Sequence, residues 1–75
     1  METLQRAYYA DGKIHLLMAS GSDFHFPTQG NPRLENASEE DLNTIEISPF
    51  GLHWPRLDED LSLRGIAQGD YGQRR

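Results

Sequence analysis

Ala7 and Tyr9 on one side of Asp11-Gly12, and Ile14, Leu16 and Met18 on the other, recur at every second position, with Arg6, Tyr8, Lys13 and His15 between them. A period of two is the spacing of one face of a β-strand. Two such runs joined by Asp-Gly predict a hairpin, because a type I′ turn needs positive φ at both central residues. That turn pairs Tyr9 with Ile14, Ala7 with Leu16 and Gln5 with Met18. Ser20-Gly21-Ser22 then leads into Asp23-Phe24-His25-Phe26-Pro27. A three-residue loop there sets Phe26 opposite Leu16 and Phe24 opposite Met18. A slip of one residue would send both phenylalanines to the wrong face. The expected core face is Ala7, Tyr9, Ile14, Leu16, Met18, Phe24 and Phe26, and Leu4, Arg6, Tyr8, His15, Leu17 and His25 form a mixed outer face.

From Thr28 to Asn36 the chain is poor in apolar residues and carries Gly30 and Asn31-Pro32, which predicts a loop anchored by Leu34. Ser38 followed by Glu39, Glu40 and Asp41 has the chemistry of a helix start, since a hydroxyl accepts from an orphan amide and carboxylates suit the positive end of the dipole. The helix spans about Glu39 to Thr44 and presents Leu42. Ile45-Glu46-Ile47 resumes the two-residue period, and Ser48-Pro49-Phe50-Gly51 turns it into Leu52-His53-Trp54, so that Ile47 faces Leu52, Ile45 faces Trp54 and Glu46 faces His53. Pro55 ends that strand. Ser62 caps a last short helix through Gln68, stopped by Gly69. The fold class expected is α+β: an antiparallel meander of four to five strands, one covering helix and a short C-terminal helix, in a single domain over 1–75 with a tail from 70 to 75.

The chain has 75 residues, no cysteine and 36% apolar content, so disulfides, thiolate nucleophiles and sulfur-ligated zinc are excluded. A core this small supplies roughly 3–5 kcal/mol, and self-association is one remedy. No apolar stretch is long enough for a membrane span or a secretory h-region, and Met1-Glu2 lacks a basic start, which predicts a cytoplasmic location. Charge is uneven. Residues 35 to 60 hold eight carboxylates against Arg56 alone, a local charge of −7 that leaves +2 for the remainder. Without a basic stripe to displace counterions, direct nucleic-acid binding is disfavoured. A basic protein partner suits the acidic belt.

His53 facing Glu46, with Asp58, Glu59 and Asp60 following, is the pattern closest to a catalytic or metal-binding constellation. A cross-strand ion pair on a wet face and a solvated acidic turn account for the same residues without chemistry. Asp58 and Asp60 also lack the later glycine and glutamate of a calcium loop. Trp54 is either a core residue on Ile45, Ile47 and Leu52 or, if exposed, the best anchor for a partner. His15 and His25 lie near Tyr8 on the mixed face, where two imidazoles without a third ligand suit a contact surface better than a metal. Glu46, His53, Trp54, Asp58, Glu59, Asp60, Tyr8, His15 and His25 are thus the candidate binding residues. No phosphate loop, dinucleotide fingerprint or nucleophile elbow is present, and no metal or cofactor is expected.

Ala37-Ser38-Glu39-Glu40-Asp41-Leu42, Ile45-Glu46-Ile47-Ser48-Pro49, Gly51-Leu52-His53-Trp54-Pro55 and Leu57-Asp58-Glu59-Asp60-Leu61, in that order, resemble a bacterial family, domain of unknown function 2442. The resemblance covers roughly residues 5 to 69. It implies a small intracellular α+β protein, in some relatives fused to a helix-turn-helix domain that is not expected here. Genes of some relatives lie beside a second small family, domain of unknown function 4160, in arrangements that look like toxin–antitoxin pairs. The family supplies no established catalytic residues. The reading that follows is a non-enzymatic protein-interaction module, antitoxin-like toward a small basic protein. The alternatives are a metal- or small-molecule-dependent enzyme centred on His53, Glu46 and Asp58, and the sensor half of a transcriptional regulator. Exposed edge strands also admit a homodimer.

Overall fold

The computed structural model describes residues 3–73. Its elements follow one order twice, three strands and then a short helix: β1 (Leu4–Ala10), β2 (Lys13–Met18), β3 (Asp23–Pro27), α1 (Glu39–Asn43), β4 (Glu46–Ser48), β5 (Gly51–Trp54), β6 (Glu59–Ser62) and α2 (Leu63–Ala67). The strands form two antiparallel sheets, β1-β2-β3 and β4-β5-β6. The α+β class stands, but a single meander of four to five strands does not. The sixth strand was hidden because Leu61 is the only apolar residue in Glu59–Ser62, and one inward side chain makes no period.

Asp11 and Gly12 have φ of 52° and 78°, as the type I′ turn requires, and Tyr9 pairs with Ile14 and Ala7 with Leu16. Beyond Arg6, which pairs with Leu17, the register shifts, so that Leu4 rather than Gln5 faces Met18. The extra residue is a β-bulge that reverses the side on which Leu4 emerges. Leu4, expected on the mixed face, is therefore buried.

The second turn also departs from expectation. Gly21 donates its N–H to Met18 O at 3.0 Å with φ of 97°, and Met18 N–H reaches Ser22 O at 2.8 Å. The loop is Ala19-Ser20-Gly21, with glycine at its left-handed closing position. The register moves by two residues, pairing Leu16 with Phe24 and Ile14 with Phe26. An even shift preserves the face, so both phenylalanines stay on the core side, Phe26 fully buried and Phe24 half exposed.

Leu34 anchors the loop as predicted, beside a fully buried Asn31. Ser38 Oγ accepts from Asp41 N at 3.2 Å and caps α1. Leu42 of that helix is buried, and its carbonyl accepts from Trp54 Nε1 at 3.0 Å. In the second sheet Ile47 pairs with Leu52 and Glu46 with His53, around Pro49-Phe50. Ser62 Oγ caps α2 through Gly65 N at 2.9 Å. Residues 70–73, read from sequence as the start of a tail, pack back: the Tyr71 ring stacks on Phe26 at 4.8 Å, and Gln73 Nε2 donates to Gln29 O. The last two tail positions lie outside the described residues. Among the described residues no helix is long and apolar enough to cross a membrane.

Candidate functional site

Alternation along β5 and β6 decides where the acidic cluster goes. His53 is flanked in register by Glu46 on β4 and Asp60 on β6. Its ring turns to β6: Nδ1–H donates to Asp60 Oδ1 at 2.7 Å, with the Asp60 side chain 78% exposed. The carboxylate partner read from sequence was Glu46, which stays exposed on the other flank. Glu59, the residue before Asp60 on β6, points inward and takes the Asn31 amide at 2.9 Å. Asp58 sits in the preceding turn with φ of 51°, 4.0 Å from Arg33. Successive residues on a strand project to opposite faces, so Glu59 and Asp60 cannot both serve His53. Among the described residues no three His, Asp or Glu side chains are grouped to hold a metal.

Trp54 is fully buried and is core, not a surface anchor. Arg56 faces Glu40 and Asp41 at 3.5 and 3.3 Å, which partly neutralises the acidic belt at the start of α1.

The outer face of the first sheet brings three of the candidates together. Pairing sets Tyr8, His15 and His25 in one row across β1, β2 and β3. Tyr8 and His15 rings are parallel with centroids 5.0 Å apart, and His15 and His25 lie at 5.8 Å. The Arg6 guanidinium lies over the Tyr8 ring at 5.2 Å. His15 Nε2–H donates to Ala10 O, which fixes that ring on the strand rather than freeing it for a ligand. The row is an aromatic surface with the Arg6 guanidinium beside it, on an otherwise acidic chain.

The feature that sequence reasoning missed is an apolar groove of about 720 Å³ between the two halves of the fold. Leu16 and Met18 line it from β2 and Phe24 from β3. The turn residues Pro49 and Phe50 and, from α2, Leu63, Ile66 and Ala67 line it from the second half. Phe24 is 51% and Phe50 82% exposed, although both are large apolar side chains. The only signal in the sequence was Phe50, an aromatic in the middle of a tight turn. Arg64 also lines the groove, and among the described residues no carboxylate is in ion-pair reach of it, in contrast to Arg33 and Arg56. A second depression, near Glu59, Asp60 and Asp70, has its carboxylates already engaged by Asn31, His53 and Gly72 N.

Two three-stranded sheets, each followed by a short helix, with an open apolar groove and dispersed ionisable groups, define a small α+β domain. The chain belongs to the family described as protein of unknown function (DUF2442), whose profile matches residues 5–72. It is similar in structure to a protein of unknown function from Rhodospirillum rubrum, with 33% identity, a TM-score of 0.83 and coverage of 99% of this chain and 94% of that one. It is also similar to an uncharacterised protein from Chromobacterium violaceum solved by solution NMR, with 31% identity, a TM-score of 0.80 and coverage of 95% of this chain and 69% of that one. No curated protein matches the sequence.

Proposed function

We propose that this chain is a non-enzymatic protein-interaction module whose docking face is the groove between β3 and the β4–β5 turn. The observation that carries the reading is Phe24 and Phe50, exposed on facing walls of an apolar groove. A soluble chain gains nothing in stability from a phenylalanine left 82% in water, whereas a partner that covers it gains its full burial, about 1.5–3 kcal/mol. The acidic belt supports a basic protein as the partner, by steering encounter. In its specific form, implied by the family's gene neighbourhoods, the module is the antitoxin-like member of a pair.

Cross-linking in the native host tests this. Wild-type chain is expected to capture one defined protein through residues at the groove rim, and the Phe24→Ser/Phe50→Ser double variant, with its thermal midpoint unchanged, is expected to lose it. Wild type capturing no protein at low or moderate salt ends the reading.

One contact favours a second reading. The His53–Asp60 hydrogen bond is the arrangement that orients an imidazole base. Neither residue lines the groove, nor do Glu46 and Asp58, the other members expected of an enzyme site, and neither of these bonds to His53. A His53→Ala variant that folds and loses a measurable turnover would establish that alternative.

A further inference from the structure

We propose that the groove is filled by an extended peptide segment of the partner, added as a fourth strand to the free edge of β3, with alternate apolar side chains in the groove and a carboxylate against Arg64. The inference rests on the docking reading above and names the chemistry of what docks.

The first argument concerns the main chain. β3 ends its sheet. The bonds Met18 N to Ser22 O and Thr28 N to Gly12 O place the rungs toward β2 at even-numbered residues of this strand. Asp23 and His25 therefore point their N–H and C=O away from β2, and among the described residues nothing bonds to them. Pro27 has no N–H, so the ladder that this edge can extend is short and has a fixed end. The edges of β1 and β4 are less suited. On β1 the N–H of Tyr9 is held by Asn43 Oδ1 at 2.8 Å, and β4, although exposed at Ile47, does not line the groove.

The second argument is the side chains. A strand laid beside β3 sends every second residue to the side of Phe24, into the groove, and the rest to the side of His25, which also borders the groove. Strand addition of this kind draws affinity from main-chain bonds and selectivity from pockets for alternate residues. The third is charge. Arg64 lines the groove without a carboxylate partner among the described residues, while Arg33 and Arg56 each have one. An acidic side chain on the incoming segment completes it.

A displayed random-peptide library selected on the whole chain provides the probe. Selected peptides are expected to carry apolar residues at i and i+2 with an aspartate or glutamate beside them. In anisotropy titrations, N-methylation of one alternate set of peptide amides should weaken binding about tenfold or more for each bond removed, and methylation of the other set should not. This comparison leaves the protein untouched. On the protein, Asp23→Pro should weaken the same peptides while Asp23→Ala should not, because only proline removes the outward N–H. Arg64→Glu should exchange the acidic preference for a basic one. Peptides with apolar spacing i, i+3, i+4, or binding indifferent to N-methylation in both sets, would overturn strand addition while leaving the docking face intact. Selected peptides indifferent to Phe24→Ser and Phe50→Ser, or no selected peptide at all, would overturn the docking face as well.

Discussion

The side-chain amide of Asn31 donates to Glu59 Oε2 at 2.9 Å, joining the loop after the first sheet to the last strand of the second across 28 residues. The same amide nitrogen donates to Tyr71 O at 2.9 Å, and Asn31 Oδ1 accepts from the N–H groups of Arg33 and Leu34 at 2.9 and 3.2 Å. Every polar atom of a fully buried side chain is thereby satisfied, and three segments of the chain are held by one residue.

Replacing Asn31 by alanine strands the Arg33 amide, the Tyr71 carbonyl and one Glu59 oxygen, while the Leu34 amide keeps the Asn31 main-chain oxygen. The expected loss is about 2–3 kcal/mol, the cost of buried groups left without partners. Glu59→Gln keeps an accepting oxygen and should lose less than about 1 kcal/mol. Urea denaturation of the two variants in parallel measures the contrast, and equal losses would show that the Glu59 charge, not the Asn31 framework, holds the segments together.

Gly51 pairs with Ser62, and the main chain of β6 leaves no room there for a side chain. A Cβ built there would meet the Leu61 carbonyl oxygen, the Ser62 Cα and the Leu61 carbonyl carbon, all main-chain atoms that cannot rotate aside. Gly51→Ala should destabilise by about 1–3 kcal/mol or more, as overpacking does. The thermal midpoint should fall accordingly, with amide protection lost first in β6.

Trp54 is the only tryptophan and is fully buried, with its indole N–H on Leu42 O. Its emission should shift to the red on unfolding and report the whole transition. Trp54→Phe removes the tie between β5 and α1 as well as part of the indole volume, and should lower stability by about 2–3 kcal/mol. A loss below about 0.5 kcal/mol in urea titration would mean that α1 docks by other contacts.

His53 and Asp60 lie 2.7 Å apart, but both side chains are substantially exposed. An exposed pair adds about 0–1 kcal/mol. Asp60→Asn should therefore leave the unfolding midpoint almost unchanged, whereas a large loss would show that the pair is structural.

Much of the fold was legible in the sequence because it is decided by neighbours along the chain. The Asp11-Gly12 turn, the Ser38 and Ser62 caps and the pairing of Ile47 with Leu52 each depend on a handful of consecutive residues whose local chemistry has one good solution. The Gln5 bulge and the two-residue shift at Gly21 were not legible, since both depend on which alternative buries Leu4 and Phe26 better once the other half of the molecule is present.

The candidate site divides in the same way. That Tyr8, His15 and His25 share a row follows from strand parity and was readable in advance. That Glu59 turns inward to Asn31 while Asp60 turns outward to His53 required β6, which a single leucine among acids does not announce.

By itself the sequence determined the α+β class, the helix caps, the Asp11-Gly12 turn and the family, because short-range backbone preferences and side-chain periodicity are written in adjacent residues. Only the tertiary structure decided that the strands divide into two sheets and that Trp54 is interior. It alone decided that Phe24, Phe50 and Arg64 meet around a groove. Residues 24, 50 and 64 have no local relation to one another, and what joins them is the packing of one sheet's core face against the other half of the chain.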